Sequence, residues 1–284
     1  MTVGRRPGPT VRSRVHDWRA GEVRAHEDRV IAEEPMEVRL AWPSTEPRRI
    51  AVTMRTPGSD FELATGLVVG EGIARPRGHV VTVGYCTDAA LPPDQRYNVT
   101  TVALNAPPQR DPAVRNLAQT SACGVCGKDS LAAVQQFGGR PVVSPVTVRA
   151  AVLSRLPDLL RDHQRLFDRT GAVHAAGLFT VAGEPLLVRE DVGRHNAVDK
   201  VVGAATLGTV TGLPAPSDTV LCTSARAGFE IVQKAVMAGI PVVAAVGAAS
   251  SMAVDCAREY DVTLVGFLRG NRFVVYAGPD RVVS

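Results

Sequence analysis

The chain has 284 residues, 45% of them hydrophobic and 21% charged, the balance of an ordinary globular protein with room for one large domain or two modest ones. Its net charge of +4 is small, and Arg5, Arg6, Arg12, Arg14, Arg19 and Arg24 concentrate the excess before residue 25, so the near-neutral remainder argues against a nucleic-acid binder. No run reaches the roughly eighteen apolar residues of a membrane-spanning helix, and an odd cysteine count without a signal peptide points to a reducing cytoplasm.

Residues 1–24 read as a disordered basic tail, because Pro7 follows the Arg5-Arg6 doublet and no apolar run appears before Val30. Short alternating runs over 28–54 predict a small antiparallel sheet. Thr56-Pro57-Gly58 is a turn, and Ser59 with Glu62 reads as a capping box opening a helix to about Gly70. Strands are expected over 79–85 and 97–104. Together these make an N-terminal β-rich subdomain over 25–110.

A mobile cysteine loop and a short helix are expected over 111–145. Their centre is Ser121-Ala122-Cys123-Gly124-Val125-Cys126-Gly127-Lys128, set between the breaker clusters Asn105-Ala106-Pro107-Pro108 and Gly138-Gly139-Arg140-Pro141. Lys128 and the start of a helix over 129–137 both favour a thiolate. A structural zinc site needs four ligands, whereas Cys86, Cys222 and Cys256 are scattered singly and no two histidines have helical ligand spacing, so no metal is expected. A thioredoxin-type motif opens a helix directly after the first strand, and this pair lies far into the chain. A sulfur relay needs only one nucleophilic cysteine and a second nearby to assist. On the residues alone, relay and thiol oxidoreductase both stay open.

Over 146–284 the pattern becomes α/β. A helix is expected over 147–168, kinked or divided by Pro157, then strands over 173–181 and 186–189, a helix over 196–207 capped by Asn196, and a strand over 219–223. A helix over 230–238 stopped by Gly239, a strand over 241–246, a helix over 251–260 and a strand over 262–268 follow. Arg269-Gly270-Asn271-Arg272 then turns into a last strand over 273–277. The alternation predicts a helix-covered mixed sheet, largely parallel. Ligands bind beyond the carboxyl ends of such strands, which singles out three polar loops. The first, from Glu190 to Lys200, sets Gly193, Arg194, His195 and Asn196 at a helix start as candidate phosphate contacts. The second, Ser224-Ala225-Arg226-Ala227-Gly228, repeats the arrangement with Ser224 and Arg226. The third is Arg269 to Arg272. His174, in an apolar strand, reads as readily as a satisfied core histidine.

Taken together, Met54-Arg55-Thr56-Pro57-Gly58 with Glu62-Leu63-Ala64, Glu71-Gly72-Ile73, Cys123-Gly124-Val125-Cys126-Gly127, Thr170-Gly171 with His174-Ala175-Ala176, the run from Glu190 to Lys200, and Ala238-Gly239-Ile240-Pro241 resemble the formate dehydrogenase accessory sulfurtransferase family (FdhD/NarQ). The resemblance covers nearly the whole chain after the tail. It implies a cytidine-deaminase-like fold, a homodimer, and a cytoplasmic sulfur carrier. Cys123 would hold a persulfide received from a cysteine desulfurase, and Cys126 would assist. The sulfur would pass to the bis-molybdopterin guanine dinucleotide form of the molybdenum cofactor, bound as substrate, for delivery to formate dehydrogenase. The family's cofactor-binding segment falls on Phe267, Leu268, Arg269, Gly270, Asn271 and Arg272. No deaminase chemistry is implied, since His174 lacks a glutamate two residues on. Ala122, Ala225 and Gly247 depart from the serine, glycine and serine usual in the family. A cofactor chaperone without sulfur chemistry is the rival reading.

Overall fold

The computed structural model describes residues 8–86, 92, 95–112, 117–119 and 138–284; Cys123, Cys126 and the helix expected over 129–137 lie outside the described residues. The segment expected to be a disordered tail is paired instead: β1 (Thr10–Arg19) and β2 (Glu22–Ile31) form an antiparallel hairpin. Its turn residues Ala20 and Gly21 have φ of 49° and 89°, the positive values that a two-residue turn needs to follow strand twist. Charged residues on both faces hid the strands from a search for apolar alternation.

The expected antiparallel pair is β3 (Glu34–Ala41) with β4 (Arg48–Arg55), and three more strands extend it. After α1 (Asp60–Gly70) come β5 (Val80–Tyr85), β6 (Val99–Leu104) and β7 (Leu117–Gln119), giving the order β5-β6-β3-β4-β7. Alternate residues Met36, Val38 and Leu40 are fully buried and point into the core beneath the sheet. Helix α1 is buried on almost every side, as its all-round apolar sequence demands. Leu63, Leu67, Val68 and Val69 are fully buried, each contributing about 1.5–3 kcal/mol over exposure.

The expected capping box is not formed: Ser59 has φ 55° and its side chain caps nothing, while Glu62 is bound to Arg189. The turn before α1 is fixed instead by Arg55. Its fully buried guanidinium donates to Asp60 at 3.1 and 3.3 Å, to the Tyr97 carbonyl and to Asn98. Asp60 in turn accepts from Gly58 N and from the Tyr85 hydroxyl.

The second half contains β8 (Val148–Arg149), α2 (Ala150–Arg161), α3 (Arg165–Thr170), β9 (His174–Thr180), β10 (Pro185–Asp191), α4 (Arg194–Leu207), β11 (Thr219–Thr223), α5 (Phe229–Ala238), β12 (Val242–Ala245), α6 (Ser251–Glu259), β13 (Thr263–Arg269), β14 (Arg272–Ala277) and β15 (Val282–Val283). Helix α2 runs through Pro157. One N–H is missing there, but Leu153, Leu156 and Leu160 stay buried and hold the turn; the break comes at 162–164.

Six strands form one sheet, in the order β10-β9-β11-β12-β13-β14. It is mixed but not largely parallel. Only β11–β12 and β12–β13 are parallel pairs, and β9 is antiparallel to both its neighbours. Residues 181–184 alone join β9 to β10, too short a link for the crossover that parallel strands require. One sheet face, with Ala176, Leu178, Leu221, Val243 and Leu264, shares a core with α1, α4, α5 and α6. The other, with Ala175, Phe179, Val220, Val242 and Val265, packs on Val152, Leu153, Leu156 and Leu160 of α2. No helix among the described residues is long and apolar enough to cross a membrane.

At the centre α1 and α4 touch backbone to backbone. A Cβ on Gly66 would lie 2.5 Å from the Asp199 carbonyl carbon, and one on Gly203 would lie 2.6 Å from that of Glu62. Only glycine permits this approach. It binds the N-terminal sheet, through α1, to the helix that opens the first expected site loop.

Candidate functional site

The three suspected loops lie at one end of the six-stranded sheet. His174 is registered opposite Asp191, Thr223 opposite Ala176 and Ala245, and Ala244 opposite Val265, so the ends of β10, β11, β12 and β13 and the start of β9 coincide. Hydrogen bonds stitch the loops together. Ser224 N donates to the Ala175 carbonyl and Ser224 Oγ accepts from Ala175 N, both at 3.0 Å. Gly247 N donates to the Ala225 carbonyl at 3.1 Å, and Phe267 N to the Gly247 carbonyl at 3.0 Å. The linking loop 246–250 was not among the three; its place after a buried strand was the available signal. At Gly247 a Cβ would meet Arg226 Cγ at 2.8 Å, so glycine lets the two loops nest. The Ala225 methyl packs in the larger core, where the residue is 4% exposed.

The Glu190 to Lys200 run divides into anchors and a surface. Asp191, fully buried, lies 2.7 Å from Lys200 Nζ and accepts from Thr56 N, Gly193 N and Asn196 Nδ2. Lys200 also donates to the carbonyls of Thr56 and Glu190. Asn196 is not the helix cap expected of it: α4 begins at Arg194. Its buried amide donates to the Met54 carbonyl at 2.7 Å and accepts from the Thr53 hydroxyl at 3.2 Å. These bonds commit both amide protons of Asn196 and fasten the Met54–Gly58 turn to the loop. Gly193 is half-buried with its N–H committed to Asp191, which leaves Arg194 and His195 as the half-buried polar side chains of this loop that face outward. The Glu190 carboxylate accepts from Leu166 N and Phe167 N and caps α3.

Burial, then the charges of Lys234 and Arg194, push the His195 imidazole down to about 3. Its ring is therefore neutral at pH 7, with Nε2 donating to Glu230 across 3.2 Å, and it offers a phosphate no charge. His174 is held below its usual range by burial and then by Arg194. Beneath them, burial raises the Asp199 carboxyl to about 7 although Lys234 Nζ stands 2.6 Å away. Acidic groups at this end are thus bound internally. Arg194, half-buried, and Arg226, Arg269 and Arg272, exposed, have no acidic partner among the described residues.

The third loop is built on a bulge. Gly266 pairs with Val274 and Arg269 with Arg272, so β13 holds one residue more than β14 between those pairs. Phe267 takes φ 55°, a left-handed value rare for a bulky residue, and is 42% exposed, whereas Leu268 is 1% exposed and anchored in the core beside α2. Arg269, Gly270, Asn271 and Arg272 are all exposed. Four strand spacings separate β10 from β13, roughly 19 Å.

Of the cysteines described, Cys222 and Cys256 are buried, and burial pushes both thiols up to about 12. Cys86 is half-buried, with Arg39 Nη1 3.8 Å from its sulfur. Cys123 and Cys126 lie outside the described residues; the described segment that precedes them is β7, which ends at Gln119. Gln119 pairs with Thr53 of β4, and the Thr53 hydroxyl donates to Asn196. Among the described residues no three of His, Cys, Asp and Glu gather as metal ligands.

Residues 31–283 match the FdhD/NarQ family. The chain is 50% identical over 278 residues to the "Sulfur carrier protein FdhD" of Streptomyces coelicolor, covering 96% of this chain and 95% of that one. It is 48% identical over 277 residues to the protein of the same name from Mycolicibacterium paratuberculosis, covering 96% and 98%. Its fold is similar to that of a candidate formate dehydrogenase accessory protein of Desulfotalea psychrophila, known from a crystal structure, with a TM-score of 0.74 at 21% identity over 97% of this chain and 100% of that one.

Proposed function

The chain belongs to the FdhD/NarQ family, and from that premise we propose that it is a persulfide sulfur carrier serving the molybdenum cofactor of formate dehydrogenase. The observation that carries this reading is the register of β7. Gln119 is paired beside Thr53, which is bonded to the Asn196 loop. Cys123 is the fourth residue after Gln119, and an extended chain reaches at most about 14 Å over four such steps. That short reach supports a cysteine pair acting at the arginine-bearing end of the sheet.

In the first step the Cys123 thiolate attacks the terminal sulfur of a desulfurase persulfide. The S–S bond there breaks, the desulfurase leaves as a thiolate, and Cys123 becomes a persulfide. In the second, the Cys126 thiolate attacks Sγ of Cys123. The terminal sulfur leaves as hydrosulfide toward the bound cofactor, a Cys123–Cys126 disulfide remains, and a thiol reductant restores the pair. The substrate is bis-molybdopterin guanine dinucleotide molybdenum cofactor, an elongated polyanion. Arg194, Arg226, Arg269 and Arg272, which have no acidic partner among the described residues, suit its phosphates, the exposed Phe267 ring suits a base, and the spread of the loops across several strands suits its length. Cys222 and Cys256, buried with thiols near 12, are poor carriers.

The test is peptide mass spectrometry after incubation with a cysteine desulfurase and cysteine. One added sulfur on the peptide holding Cys123 and Cys126, lost in Cys123→Ala and kept in Cys86→Ala, is the expected result. Loading that survives Cys123→Ala, or no loading by an active partner desulfurase, refutes the relay; in the second case a cofactor chaperone takes its place.

A further inference from the structure

The hairpin of β1 and β2 is a sheet by itself, bonded to no other strand among the described residues. Its pairs run from Thr10 opposite Ile31 to Arg19 opposite Glu22 without a bulge, a ribbon roughly 33 Å long. A two-stranded ribbon is marginal in water unless a helix or further strands support it. α3 lies against β2, yet every residue from Glu22 to Arg29 is exposed. Trp18 is 72% exposed, and Val23 opposite it 48%. Arg12 stands opposite Arg29, a like-charge pair that costs the hairpin stability. Each outer edge presents open N–H and C=O groups, a template for another strand.

The two edges differ in charge. β1 carries Arg12, Arg14, His16 and Arg19 against Asp17 alone, and such a run of one sign blunts an edge. β2 mixes the signs in Glu22, Arg24, Glu27, Asp28 and Arg29. Two copies of β2 joined antiparallel are related by a two-fold axis normal to the sheet. That axis keeps each side chain on its own face, so residues that meet across it differ by an even number. Centred on His26, the register sets Arg24 of each copy opposite Asp28 of the other, with no arginine against arginine and no carboxylate against carboxylate. Centring on Ala25 sets Glu22 against Asp28; centring on Arg24, Glu27, Asp28 or Arg29 sets that residue against itself; centring on Val23 leaves only Glu22 to Arg24 facing. In the His26 register Arg24 stands between Asp17 of its own hairpin and Asp28 of the second copy. Arg29 lies beside Val23 of the second copy and two strand spacings, roughly 10 Å, from its exposed Trp18, within reach of a cation–π contact. We propose that β2 is the joining edge of a homodimer, in which two hairpins meet about His26 as a four-stranded intermolecular sheet held by paired Arg24 and Asp28. The inference rests on the family reading only for the expectation of a homodimer; the edge, the register and the paired residues come from the hairpin, and no step of the relay enters.

Sedimentation velocity of the full chain over a range of micromolar concentrations tests it. The parent should run as a dimer. Arg24→Asp sets carboxylate against carboxylate at both contacts, and Asp28→Arg sets arginine against arginine. Each variant alone should therefore raise the dimer dissociation constant by about tenfold or more. In an equimolar mixture the two variants complement each other at both contacts, and the mixed dimer should form to within about threefold of the parent, the remaining loss being the contact of Arg24 with Asp17. Recovery on mixing separates a broken contact from a lost hairpin, because a lost hairpin regains nothing from a second variant. A monomeric parent, either variant dimerising as tightly as the parent, or no recovery on mixing overturns the assignment. Sedimentation reads no sulfur, so failure here leaves the relay standing, and failure of sulfur loading at Cys123 leaves this edge standing.

Discussion

Gly66→Ala separates two forces of opposite sign. By helix propensity alone the change stabilises α1 by about 1 kcal/mol. The fold says otherwise: the new Cβ would lie 2.5 Å from the Asp199 carbonyl carbon and 2.7 Å from its Cα, whereas carbon atoms rest about 3.5–4.0 Å apart. Both neighbours are helix backbone, which cannot swing aside as a side chain would. α1 and α4 must part by about 1 Å, loosening the contacts of Leu63 and Leu67, which are fully buried. Overpacking costs about 1–3 kcal/mol where side chains can adjust, and here they cannot. A net loss of about 3 kcal/mol is expected, lowering Tm by roughly 6–12 °C at about 2–4 °C per kcal/mol. Gly84→Ala is the control, because nothing lies within 4 Å of a Cβ at that position, and its effect should stay within about 0.5 kcal/mol. The assay is thermal melting followed by circular dichroism. A Gly66→Ala protein melting at or above the parent temperature refutes the crossing.

Three further outcomes follow, two from buried polar contacts and one from an exposed arginine. The Glu62 carboxyl, which burial alone would raise, is held below its ordinary 4.5 by paired bonds from Arg189 and one from Thr209. Because the folded value is the lower one, the stabilisation is present above about pH 4.5 and lost as pH falls through the folded value; Glu62→Gln should flatten that acid limb in denaturant titrations taken at several pH values, and an unchanged limb removes the pair as its cause. Asn196→Ala should cost about 1–3 kcal/mol by stranding the partners of a buried amide, while Arg272→Ala should leave Tm unchanged and weaken guanosine diphosphate binding by calorimetry; the reverse pattern would exchange anchor and contact.

The strands and helices over 173–277 were legible because each buried run is short and bounded by glycine, proline or a cap. Strand direction was not, since an apolar run looks alike in parallel and antiparallel pairs; the brevity of 181–184 held that information. The hairpin of β1 and β2 escaped because neither face carries an apolar stripe, although Ala20-Gly21 was a turn signal. The gathering of three loops at one end was readable from strand order. The division of labour within them was not: Asn196, a candidate phosphate contact in sequence, is bonded together with Asp191 and Lys200 to Thr53, Met54 and Thr56, which lie far away in the chain.

Phe267 holds a backbone conformation that glycine adopts freely and that costs another residue roughly 1–2 kcal/mol. Its exposed ring recovers little of this by packing. Glycine would hold the same conformation without that cost, so the demands of this turn alone do not account for a bulky ring on the bulge of β13. For the base contact proposed above, resistance to unfolding and grip on a ligand pull in opposite directions at this one position.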